Sequence, residues 1–152
     1  MPSQVIFHEL DASVDDAAAI LSLAIALIEQ GFDAKRYTTV VCADKAQAEA
    51  VDELLWQNPA DRFIPHALYG EGDDKPVPVE IIWQQALSSG GKIRNRRLIV
   101  NMSMEMIENF HQIECIHDFV PSDTTEKANA RARYANYKNA QCNMSFNKAK
   151  SN

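Results

Sequence analysis

The first turn that would carry a phosphate loop in this chain, Leu10-Asp11-Ala12-Ser13-Val14-Asp15-Asp16, contains no glycine. It puts carboxylates where a pyrophosphate would sit, which argues against a dinucleotide-binding fingerprint. The glycines elsewhere do no better. Gly70-Glu71-Gly72 runs into Asp73, Asp74 and prolines rather than into a helix. Gly91-Lys92 mimics the end of a Walker loop, but Ala86 stands at the first glycine position and Ile93 at the Ser/Thr position. Cysteine is also scarce. Cys42, Cys115 and Cys142 form an odd, sparse set, and two of them sit in apolar strand-like runs, which fits buried thiols in a reducing compartment better than a disulfide framework. Long apolar runs are missing: the stretch Ala17 to Ile28 is broken by Ser22 and is too short to span a bilayer. No basic region followed by an apolar stretch opens the chain, so no signal peptide is expected, and the expected location is cytoplasmic without membrane contact.

Catalytic patterns are equally thin. There is no Gly-x-Ser-x-Gly elbow, and Ser13, Ser88 and Ser103 lack a paired histidine in any familiar arrangement. His66 beside Pro65 reads as a hydrogen-bonded structural histidine. His111, Cys115 and His117 lie close in sequence, but no Cys-x-x-Cys and no fourth ligand accompany them. The expectation is a non-catalytic protein with no cofactor and no metal.

What the chain does have is an uneven distribution of charge. Of its fifteen Lys and Arg, six fall between Thr124 and Asn152 (Lys127, Arg131, Arg133, Lys138, Lys148, Lys150), opposed there by Glu126 alone. The remaining nine bases face twenty acids, giving a formal net charge of −6 for the whole. An acidic body repels a nucleic-acid backbone, so general nucleic-acid coating is disfavoured. Lys127, Arg131, Tyr134 and Lys138 are spaced to form one stripe on a helix. Lys138, near the helix end, suits the macrodipole there; Lys127 and Arg131, in the first half, do not, so a binding role for an anionic partner is the better account.

With 152 residues, 46% hydrophobic and 24% charged, the composition is that of an ordinary globular protein. We read a single α/β domain over residues 1–140 and expect 141–152 to fray. Strands are expected at 4–10, 37–43, 79–83, 97–102 and 113–120, with a short extended segment at 63–68. Helices are expected from Asp15 to a stop at Gly31, over 45–56 behind an Asp44 cap, over 104–110, and from Asp123 or Thr124 to Asn139. Alternating strands and helices argue a three-layer α/β fold, a mainly parallel central sheet with helices on both faces, lacking a phosphate-binding glycine loop. Trp56 and Phe63 flank one turn. They either pack on each other or face outward as anchors for a partner.

Several stretches together resemble the chi subunit family of bacterial DNA polymerase III. The strongest is Asp52-Glu53-Leu54-Leu55-Trp56-Gln57-Asn58-Pro59-Ala60-Asp61-Arg62-Phe63-Ile64-Pro65-His66, continuing through Gly70-Glu71-Gly72 and Pro78-Val79-Glu80-Ile81. A second block is Asp118-Phe119-Val120-Pro121 followed by Arg131-Ala132-Arg133-Tyr134-Ala135-Asn136-Tyr137-Lys138. The resemblance implies a Rossmann-like fold without the phosphate-binding glycine loop, and a non-enzymatic adaptor. It implies pairing with the psi subunit of the clamp-loader complex through the surface of Trp56 and Phe63, and use of that same surface by a helicase-like protein as an alternative partner. It further implies capture of the acidic, phenylalanine-ended C-terminal tail of single-stranded-DNA-binding protein, by Arg131 and Tyr134 with Lys127 upstream. Val120, at the end of the last expected strand, is a candidate wall of the phenyl pocket. The family's usual lysine after the tyrosine is replaced by Ala135, and Lys138, one turn on, is the candidate substitute. No sequence-specific nucleic-acid contact is implied. The rival reading is direct binding of single-stranded nucleic acid by Lys92, Arg94, Arg96 and Arg97 together with the C-terminal helix, Tyr134 and Tyr137 serving as stacking platforms.

Overall fold

The computed structural model describes residues 2–57, 63–71 and 76–149. Among these, the chain runs β1 (Gln4–Glu9), α1 (Asp16–Asp33), β2 (Thr38–Cys42), α2 (Lys45–Gln57), β3 (His66–Leu68), β4 (Val79–Trp83), α3 (Gln84–Ser88), β5 (Leu98–Asn101), β6 (Cys115–Val120), α4 (Thr124–Asn139) and β7 (Asn143–Asn147). The strands form one sheet in the order β3-β4-β2-β5-β6-β1-β7, and every pairing is parallel. No helix among the described residues is long and apolar enough to cross a membrane.

The two faces follow from strand alternation. Val40, Cys42, Val79, Ile81, Val100 and Phe119 point to one face, where α1 (Ile20, Ala24, Ile28) and α2 (Ala48, Val51, Leu55) cover them. Val5, Phe7, Val41, Ile82, Ile99 and Ile116 point to the other, beneath α4 (Ala130, Tyr137) and beside Ala86 and Leu87 of α3. Sheets buried on both sides read as continuous apolar runs, as Thr38–Cys42 and Leu98–Asn101 do; both are buried throughout. Cys42 and Cys115 are buried free thiols, and burial pushes Cys42 up to about 12.

Three expectations need correction. First, Gly31 does not end α1, which continues to Asp33. A Cβ at Gly31 would lie 2.6 Å from Leu98 Cδ2 and 3.0 Å from Thr38 Oγ1, so glycine is there for close helix–sheet approach. Second, residues 104–110 are not a helix. Met104 and Asn109 take left-handed backbone at φ 64° and 56°, which interrupts a right-handed helix; only a 3-10 turn at Phe110–Gln112 forms. Side chains hold this segment instead: Asn101 Nδ2 donates to Glu105 O at 2.7 Å, and Ile107 N donates to the Tyr137 hydroxyl at 3.1 Å. Third, residues 143–147 do not fray but form β7, paired in register with Gln4–His8. The Asn58-Pro59 helix stop lies outside the described residues.

Candidate functional site

The last helix is anchored before it begins. Asp123 caps α4 by accepting from Glu126 N at 2.9 Å. Asp16, at the start of α1, accepts from Ser122 N (2.9 Å), Ser122 Oγ (2.8 Å) and Asp123 N (3.0 Å). The Ser122 and Asp123 hydrogen bonds hold the Asp16 carboxyl below its ordinary range, helped by nearby Lys127. The β6–α4 turn is thereby fixed to the far helix. At the other turn, Asp11 accepts from Ser13 and Asp15 accepts from Ala18 N at 3.1 Å, so carboxylates close the start of α1.

α4 buries Ala130, Arg133 and Tyr137, the i, i+3, i+7 stripe that faces the sheet. Arg133 is therefore not part of the cationic surface. Its guanidinium reaches Asp118 by Nε–Oδ2 and Nη2–Oδ1 contacts, both 3.2 Å, and donates to Met104 O at 2.9 Å and Phe119 O at 3.2 Å. The neighbouring stripe borders a concavity of about 320 Å³ lined by Phe7, Glu9, Val120, Lys127, Ala130, Arg131, Tyr134 and Phe146. The floor is aromatic: Phe7 and Tyr134 meet edge-to-face with centroids 5.3 Å apart. Arg131 is exposed, and Lys127 and Tyr134 are partly buried at the rim. An apolar pocket with two cations at its edge suits a ligand that pairs an apolar group with a carboxylate. Glu9 is the one acid in the lining, and its Oε1 accepts from Ala149 N at 3.2 Å.

Four of the residues singled out by sequence, Val120, Lys127, Arg131 and Tyr134, thus come together, while Lys138 lies outside the lining, exposed one turn further along α4. Phe7 and Phe146 were missed. The Asn-Met-Ser-Phe-Asn alternation of 143–147 carries the period-2 signal of a strand and could have revealed Phe146.

Trp56 and Phe63 pack on each other with centroids 5.2 Å apart and planes 31° apart, yet stay 63% and 53% exposed, so the pair is in mutual contact and also faces outward. His66 completes the cluster, 5.0 Å from the Trp56 ring. It is fixed by contact of Nδ1 with Ile64 O at 2.7 Å and by Nε2 facing Asp52 Oδ1 at 3.2 Å. The turn between the two aromatics lies outside the described residues.

The basic loop contributes less free charge than its sequence suggests. Arg94 grips buried Glu80 at 2.9 Å, and Arg97 contacts Glu114 at 3.4 Å. The loop precedes β5, whereas Lys127 and Arg131 follow β6, at the opposite end of the strands. Tyr137 is fully buried and cannot act as a stacking platform. His117 engages His8 at 2.8 Å, and His111 sits apart in the 3-10 turn.

Residues 1–145 match the family described as DNA polymerase III chi subunit, HolC. The chain is 32% identical over 134 residues to DNA polymerase III subunit chi of Escherichia coli (strain K12), covering 88% of each. It is 38% identical over 95 residues to the same subunit of Haemophilus influenzae, covering 62% of this chain and 63% of that protein. A solved structure titled Mss116p DEAD-box helicase domain 2 bound to an RNA duplex superposes with TM-score 0.59 at 11% identity, over 100% of this chain and 64% of that one. That likeness is one of fold alone and is consistent with a Rossmann-like α/β architecture. The whole-length family match and the 32% identity to a relative covered almost end to end lead to one conclusion: this chain belongs to the DNA polymerase III chi subunit family.

Proposed function

We propose that this chain is a non-catalytic adaptor of the replicative polymerase. One surface, around Trp56 and Phe63, binds the psi subunit; the concavity beside α4 binds the acidic C-terminal tail of single-stranded-DNA-binding protein. The observation that carries the second half is the convergence of Val120, Lys127, Arg131 and Tyr134 on one pocket. The tail's terminal phenyl ring enters between Tyr134, Phe7 and Phe146, its α-carboxylate meets the Arg131 fork, and its upstream acids meet Lys127 and, one turn beyond Tyr134, Lys138. Trp56, on α2, and Phe63, before β3, support the first half as a large exposed aromatic pair beside the short edge strand β3. The mechanism is tethering: two joined sites raise the local concentration of polymerase near coated template without new chemistry.

Calorimetric titration of the chain with an acidic peptide ending in phenylalanine tests the reading. Binding that weakens with salt and disappears when the terminal phenylalanine is replaced by alanine is expected. Preference for a single-stranded oligonucleotide over the peptide would favour the nucleic-acid reading instead.

A further inference from the structure

Among the described residues, no strand pairs with the outer edge of β7. β7 is the last strand of the sheet, and its register against β1 fixes which backbone groups are spent. Asn143 N donates to Ser3 O at 2.9 Å, and Asn143 pairs with Gln4, Ser145 with Ile6 and Asn147 with His8. In a parallel pair, backbone groups of alternate residues point to the same neighbour. Asn143, Ser145 and Asn147 therefore face β1, and the N–H and C=O groups of Met144 and Phe146 point away from the sheet.

Natural edges are usually blunted by a charge, a proline, a bulge or extreme shortness. Asn143–Asn147 carries no charge and no proline and is nearly all exposed. The edge also adjoins the concavity, because Phe146 belongs to both. Lys127 and Arg131 stand at the pocket, and exposed Lys148 directly follows the strand, so the edge has a cationic rim at the end nearest the pocket.

We infer that β7 receives an extended acidic peptide as an eighth strand. The peptide main chain bonds to Met144 and Phe146 while its apolar end drops into the concavity. This rests on the peptide-binding reading above and adds to it how the segment upstream of the anchor is held. Added-strand recognition draws affinity from main-chain bonds and specificity from side-chain pockets, which suits a partner whose acids need only a cationic rim. A second copy of this chain is the less complementary occupant, since it would bring another set of the same cations to the seam.

The experiment is amide exchange by NMR on the full chain, with and without a synthetic peptide of aspartate and small residues ending in phenylalanine. Calorimetry with the same peptide, N-methylated at one backbone position at a time, accompanies it. The inference expects slowed exchange at Met144 and Phe146 on binding, and an affinity loss of about ten-fold at alternate peptide positions only, the usual size of a lost hydrogen bond. If the peptide binds but these amides exchange as before, the added strand is wrong and the pocket reading stands. If the peptide does not bind, both fall. Protection of the edge without peptide, together with a doubled mass in sedimentation, would assign it to a second copy and overturn the inference.

Discussion

Arg133 and Asp118 close on each other in the interior as a two-point pair, with both N–O contacts at 3.2 Å, while Arg131, two residues earlier, stands in solvent. Neighbouring arginines on one helix thus have unrelated tasks. The cause is helical geometry, which turns residues two apart about 200° from each other.

Replacing Arg133 with alanine strands a buried carboxylate. The loss expected is about 3–5 kcal/mol of unfolding free energy, the usual result of removing one partner of a buried pair. Urea denaturation measures it. An unchanged midpoint would mean that Asp118 finds another partner.

Replacing Arg131 with alanine leaves stability within about 0.5 kcal/mol, as for most exposed sites. It costs about 1–3 kcal/mol of acidic-tail affinity, the range for a charge-assisted contact. Calorimetry at low and raised salt checks both the magnitude and the electrostatic origin. Equal affinity for wild type and variant would remove Arg131 from the site.

Trp56→Ala is expected to abolish co-purification with psi while leaving the circular dichroism spectrum unchanged, because the indole is 63% exposed. Retained co-purification would withdraw this surface from the psi contact.

Stability is expected to fall in mild acid. Burial, then proximity to His8 and Arg36, lowers His117 from 6.5 to about 4, and burial lowers His8 as well. Between those values the unfolded chain binds more protons than the folded one, so stability drops as pH falls from 6.5 toward 4 and is complete above 6.5. His117 alone accounts for about 2 kcal/mol between pH 7 and pH 5 on this basis. Urea midpoints across that range should shift in wild type and shift less in His117→Gln.

Much of the fold was legible because its signals are local. Val-Val-Cys in β2 and Leu-Ile-Val in β5 announce strands buried on both faces, and Asp44 and Asp123 cap their helices as their positions suggest. The misreadings arose where tertiary contacts decide. Gly31 looks like a helix stop until Leu98 is seen against it. Residues 104–110 follow Ser103, a residue that can cap a helix, but Asn101, Arg133 and Tyr137 supply hydrogen bonds to this segment in place of a helical ladder. At the candidate site, the stripe of α4 could be read from spacing, whereas Phe7 and Phe146 come from opposite ends of the chain and meet only through the pairing of β1 with β7.

The strand order also sets a length. β3, next to the Trp56 cluster, and β7, next to the α4 concavity, are the two outermost strands of the seven. Six steps of about 4.8 Å separate them, roughly 29 Å across the sheet. Two partners held at these margins need not collide, since the full width of the sheet lies between them.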